Sequence, residues 1–189
     1  MTTRDALRAC IERITDKQVR DFARFALDAL CPEDHWFWRA AASSSGQHHP
    51  PACRGIGGLA RHTVLAFVWL EELLRAYNKS DSTRTVNADA ARLAVLLHDT
   101  RKYDSLDSLP VHGPLAADAI SSLLDGDLDV VARTTIEIAA LCVGTHMGLW
   151  ATPPTYFGEM TPTQQVVHLA DYCASRDIDP TIYFEEVIP

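Results

Sequence analysis

The run Ala90-Ala91-Arg92-Leu93-Ala94-Val95-Leu96-Leu97 leads without interruption into the dipeptide His98-Asp99. One charge among otherwise apolar positions is the composition of a helix buried in a core, not one laid on a surface. Asn87 stands where such a helix needs an N-cap, a side-chain oxygen for the free N–H groups of its first turn. The histidine and aspartate then project from the end of a core helix. Side by side, an imidazole and a carboxylate can face one cation, in the mixed nitrogen and oxygen shell that Mn, Fe, Ni, Co or Zn favours.

The rest of the chain reads as nearly all helix, which predicts an all-α fold in a single domain. Residues 5–14 and 16–30 form an amphipathic N-terminal pair, broken at Thr15-Asp16 and stopped by Cys31-Pro32. Residues 34–41 read as a short aromatic helix bearing Trp36, Phe37 and Trp38, with those rings in the core. Ser, Gly and Pro make residues 43–51 a loop. Gly57-Gly58 then opens a long helix over 59–77, with His62 in its first turn. After a polar connection at 79–86 and the core helix comes a loop at 101–111. His112-Gly113-Pro114 starts a helix to about Leu124, Asp125-Gly126-Asp127 turns the chain, and 130–143 is an apolar-faced helix leading to His146. A loop at 147–161 precedes the last helix, where Pro162 takes a first-turn position that tolerates it. The expected organisation is N-terminal helices at 1–31, a metal-binding domain at 32–178 and an extended tail at 179–189.

A chain of 189 residues has ample length for one core. It has no apolar run of membrane-spanning length, and Met1-Thr2-Thr3-Arg4-Asp5 lacks a signal-peptide core, so a cytoplasmic location is expected. The formal charge of −8 argues against long duplex nucleic acid and anionic lipid, while leaving room for a local cationic pocket for one phosphate. Cys10, Cys31, Cys53, Cys142 and Cys173 are odd in number, scattered and without a CxxC, the pattern of free core thiols.

Around His98-Asp99, three more histidines, His62, His112 and His146, sit at helix ends or loop edges. Asp171 lies mid-helix after Val166-Val167-His168-Leu169-Ala170, where a buried carboxylate needs a cationic partner. The order H…HD…H…H…D makes His62, His98, Asp99, His112, His146 and Asp171 the candidate ligands of one or two divalent metals, Mn, Fe, Co, Ni or Zn, with Mg a further option. Lys102, three residues past Asp99, is placed to neutralise a substrate phosphate. His49 and Trp150 are loop residues suited to contact substrate, and Trp150 is the ring expected to line the pocket. His168 shares a helix face with Asp171 and is expected to support the ligands from behind. His35 is read as a surface residue.

These residues resemble the HD-domain superfamily of metal-dependent phosphohydrolases, over roughly Trp36 to Asp177. The likeness extends to Phe37-Trp38, Ala41-Ala42-Ser43, His49-Pro50 and Gly57-Gly58-Leu59-Ala60-Arg61-His62-Thr63. It continues in His146-Met147-Gly148-Leu149-Trp150 and in 167–176. This set is similar to small HD proteins of phages and prokaryotes and to the HD domain of certain 3′–5′ exoribonucleases. The resemblance implies an HD-type helical bundle in which His62, His98, Asp99 and Asp171 hold one metal. It assigns a second to Asp99, His112 and His146, with Asp99 bridging. One departure stands out: the family often reads HDxGK, whereas Arg101 here replaces a small residue, which narrows the pocket or adds a phosphate contact.

The expected activity is metal-dependent hydrolysis of a phosphoester or phosphoanhydride in a nucleotide or short oligonucleotide, by a metal-activated water. Asp99 and Lys102 are the catalytic candidates, with Arg101 or Arg61 adding positive charge. Two alternatives keep the same ligands: a diiron oxygenase of the kind that myo-inositol oxygenase represents, and a metal- or nucleotide-binding regulatory module with little turnover. The N-terminal helices also offer a surface on which a homo-oligomer could form.

Overall fold

In the computed structural model, which describes residues 1–43, 49–79, 85–124 and 127–176, seven α-helices and five single 3₁₀ turns occur, with no strand among those residues. Five helices start where a side chain satisfies their free N–H groups. Thr2 and Asp5 form a capping box at α1 (Thr3–Ile11), and Asp16 accepts from the Gln18 and Val19 N–H groups at α2 (Lys17–Leu30). Following α3 (Gly58–Lys79), Asn87 Oδ1 accepts from the Ala90 N–H at 3.0 Å and starts α4 (Ala88–Leu97). No side chain caps α5 (His112–Ser122), whereas Asp129 caps α6 (Val130–Thr145). Thr161 and Gln164 form the box at α7 (Pro162–Ala174), with Pro162 in its first turn.

The sequence explains why α4 is the axis of the domain. Ala90, Ala91 and every residue from Leu93 to Leu97 are buried, and α1, α2, α3, α6 and α7 all pack on it. Burying one leucine stabilises a fold by about 1.5–3 kcal/mol, and Leu93, Leu96 and Leu97 are each essentially inaccessible. The N-terminal helices share this core through Leu7, Ile11, Val19, Phe22 and Leu27. Polar ties reinforce the joint. The Asp89 carboxylate accepts from Thr15 N, Thr15 Oγ1 and Asp16 N. Buried Glu71 of α3 is paired with Arg92 Nε at 2.7 Å and with Arg13 at 3.1 Å.

Several boundaries differ from the sequence expectation. Residues 34–41 do not form a helix; only the turn Trp36–Trp38 does. The reason is long-range: Gly57 N and Leu59 N donate to the Arg39 and Ala40 carbonyls, and Ala42 N donates to Cys53 O, so these groups are spent outside a helix. Of the three aromatics only Phe37 is fully buried, and His35 is half-buried where the surface was expected. Helix α1 ends at Ile11, while α6 runs on to Thr145. Helix α3 starts at Gly58, where any Cβ would collide with the Cys53 carbonyl, so His62 falls at its second turn. The Ser-rich loop at 44–48, much of the connection at 79–86, the turn at Asp125-Gly126 and the tail at 179–189 lie outside the described residues. No described helix is long and apolar enough to cross a membrane.

Candidate metal centre

Helix ends converge at one place. His98 and Asp99 follow α4, His112 opens α5, His146 follows α6, His62 comes from α3 and Asp171 from α7. Three of the histidines are held by the same local device. Nδ1 of His98 lies 2.8 Å from Val95 O, that of His112 2.7 Å from Leu109 O, and that of His146 2.7 Å from Val143 O. A carbonyl oxygen only accepts, so in each ring Nδ1 carries the hydrogen and Nε2 is turned inward as the remaining site. This is the arrangement that orients a metal-ligating imidazole.

The inward atoms approach one another closely. His98 Nε2 is 3.3 Å from His62 Nε2, and His112 Nε2 is 3.2 Å from His146 Nε2. His62 Nε2 lies 2.9 Å from Asp171 Oδ1. Asp99 stands between the two histidine pairs with one oxygen toward each. Its Oδ2 is 3.4 Å from His98 Nε2 and 3.8 Å from His62 Nε2, while Oδ1 is 2.9 Å from His112 Nε2 and 3.8 Å from His146 Nε2. Two groups, His62–His98–Asp171 and His98–Asp99–His146, have all their ligand atoms within 4.8 Å of one another. His112 joins the second through Asp99 and His146.

These atoms suit a cation better than they suit each other. With the Nδ1 hydrogens of His112 and His146 spent on carbonyls, their facing Nε2 atoms must share a proton or another cation, or oppose lone pairs. Asp99 Oδ1 is buried without a hydrogen bond even though His112 Nε2 is near, as expected of two acceptors brought together. His62 Nδ1 is likewise buried and unbonded. An unsatisfied buried polar atom costs about 1–3 kcal/mol. The cluster of imidazoles and carboxylates can therefore hold a metal ion.

No protein-family model, curated protein or solved structure matches the chain. The geometry carries the reading.

Electrostatics divides the site into two kinds of group. Burial opposes ionisation of Asp99, yet Lys102 and His98 beside it hold its carboxyl well below the usual range. Asp171 is lowered in the same way against burial, by the His62 hydrogen bond and His98. Burial, then the neighbouring His98 and His112, pushes His146 down to about 3, so its imidazole is neutral. His49, buried and edge-on to His62 at 4.8 Å between ring centres, is also pushed down to about 3, chiefly by burial.

A cleft of about 410 Å³ opens beside the cluster, and His49, Lys102, Trp150, His168 and Asp171 all line it. Lys102 Nζ reaches Asp99 Oδ2 at 2.8 Å. His168 Nδ1 lies 2.6 Å from the His146 carbonyl, so it braces the segment that carries a candidate ligand. Two expected substrate contacts are not brought there. The Arg61 guanidinium is spent on the Ala52 and Ile56 carbonyls, Arg101 pairs with Asp104 at 3.3 Å, and neither lines the cleft. In their place the cleft has Tyr172 and Arg176. Tyr172 lies one turn past His168 on the same side of α7, a signal the sequence carries, and Arg176 follows just beyond the helix end.

Proposed function

We propose that this chain is an HD-type metal-dependent phosphohydrolase acting on a small phosphorylated substrate, a nucleotide or short oligonucleotide. The observation that carries the reading is the Asp99 carboxylate, set between two imidazole pairs with an ammonium at its side. His62, His98, Asp99 and Asp171 would hold one ion, and Asp99, His112 and His146 a second. Four imidazoles with two carboxylates favour Mn, Fe, Co, Ni or Zn over Mg, which prefers oxygen ligands. Such a metal, when bound, supplies positive charge to a phosphoryl group and lowers the pKa of an attacking water.

The chain's own residues provide the rest. Asp99 is kept ionised at neutral pH and so remains available as a ligand. Lys102 lines the cleft and brings a cation to the oxygens where charge develops during phosphoryl transfer. His49, kept neutral, exchanges a hydrogen bond with substrate without adding charge. The two cations of the cleft, Lys102 and Arg176, favour an anionic substrate and hence hydrolysis over oxygen chemistry with the same ligands.

The test is release of phosphate or nucleoside from a panel of nucleoside mono-, di- and triphosphates, cyclic nucleotides and short oligonucleotides. Protein stripped with chelator is reloaded with each divalent metal in turn. Metal-dependent release that Asp99→Ala abolishes supports the hydrolase. Absence of release with every metal, from folded protein that binds iron and consumes O₂, would overturn it in favour of the oxygenase.

A further inference from the structure

Trp150 sits in the turn just past His146, and 59% of its surface is exposed. It is not isolated. Its ring lies 5.9 Å from that of Tyr172 at an interplanar angle of 18°, and 6.3 Å from that of His168 at 28°. Tyr172 is itself 37% exposed, and the Arg176 guanidinium stacks on it at 4.0 Å. All four residues line the same cleft as Lys102 and Asp171. His168 is tied to the His146 carbonyl and Gly148 fits tightly against its ring, so the base of this stack is fixed by the metal-site framework.

Two features narrow the occupant. Trp150 is stacked on Tyr172 and His168 at low interplanar angles, with no ring standing across it as the wall of a cage for an organic cation would, so its exposed surface offers one flat ring. Lys102 and Arg176 on the same walls also disfavour a cationic ligand. A flat heteroaromatic ring with an attached anion matches both features. In a duplex the faces of each base are already stacked on neighbours, so the ring must be unpaired. We infer that Trp150, backed by Tyr172 and His168, forms a stacking platform for the unpaired base of a nucleotide whose phosphate lies toward Lys102 and Asp171. The placement of the phosphate rests on the hydrolase reading; the platform itself does not. Because every base has a π-face, the platform accepts all bases and favours purines for their larger area.

The test measures binding without turnover. Mn²⁺-loaded protein is titrated calorimetrically with the methylenephosphonate analogues of adenosine 5′-monophosphate and of ribose 5-phosphate, whose C–P bonds resist hydrolysis. The adenosine compound is expected to bind about tenfold or more tighter, the size of one base–aromatic stack. Trp150→Ala should abolish that difference while leaving ribose phosphonate affinity within about twofold, and Trp150→Phe should retain most of it. Equal affinity of the two ligands in the wild type, a difference that survives Trp150→Ala, tighter binding of phosphocholine, or no binding of the adenosine compound would each overturn the platform. If the base-dependent difference is found in a protein that hydrolyses nothing, the platform stands and the hydrolase reading fails. Hydrolysis of nucleotide and ribose phosphate alike, insensitive to Trp150, would keep the hydrolase and overturn the platform.

Discussion

Lys102 Nζ lies 2.8 Å from Asp99 Oδ2, the same oxygen that faces His98 at 3.4 Å. One turn of chain past the helix end thus returns a cation to the carboxylate that the helix presents. The pair is nearly closed to solvent, Asp99 at 1% side-chain exposure and Lys102 at 15%, so water screens it little. Lys102→Ala is expected to lower kcat by about 10²-fold or more, the usual loss when a group that stabilises transition-state charge is removed. Lys102→Arg should restore part of it. Initial rates at saturating metal and substrate decide the matter, and unchanged kcat in Lys102→Ala would remove the residue from the mechanism.

A bound ion relieves the opposed acceptors of His112, His146 and Asp99 in the folded state and finds no such site in the unfolded chain. Metal at a hundred times its Kd should therefore stabilise by about 2.7 kcal/mol, which for a domain of this size raises Tm by about 5–10 °C. Thermal melts with and without chelator measure this. His146→Ala should shrink the shift, and an equal shift in that variant would place the metal elsewhere.

Glu71 binds the N-terminal segment to the core through Arg13 and Arg92. Glu71→Ala leaves the partly buried Arg92 with Asp89 as its remaining partner, an effect on the order of 1–3 kcal/mol. Urea titration should show it as a fall in midpoint at constant slope. A loss below about 1 kcal/mol would mean that Asp89 alone suffices for Arg92.

Asp89 provides a pH signature away from the metal centre. Burial raises its pKa, but hydrogen bonds from Thr15, Asp16 and Arg92 outweigh this and hold the carboxyl below its ordinary 3.8. A depressed folded pKa gives stability that is present above the unfolded value and is lost as pH falls through the folded one. The stability gap between wild type and Asp89→Asn should be full at pH 7 and should narrow steadily below about pH 4. A gap independent of pH would show that the carboxylate's charge contributes nothing.

The parts of this structure that are legible in the sequence are those with a local cause. Composition alone marks α4 as buried, Asn87 caps it as its position predicts, and Pro162 stands in the first turn of α7 as expected. The six candidate ligands, spread from His62 to Asp171, come together because α3, α6 and α7 pack on α4, and α5, which His112 opens, packs on α6. What is not legible depends on distant partners. Residues 39–41 read as helix because nothing local shows that 57–59 take their backbone groups. The direction of Arg61 is set by the Ala52 and Ile56 carbonyls of the preceding turn, which spacing does not reveal, whereas the Arg101–Asp104 pair at i,i+3 is a local signal. The pair His168–Tyr172 is readable at its four-residue interval, but its use depends on Trp150, which the turn at 148–150 stacks against it.

The most direct measurement of the central claim is metal stoichiometry in folded protein, by competition with a chromophoric chelator. The account predicts up to two equivalents of a transition metal in the wild type, one fewer in His112→Ala, and loss of tight binding in Asp99→Ala with the fold retained by circular dichroism. Folded wild type that competes for no transition metal, or an Asp99→Ala variant that binds as the wild type does, would contradict it.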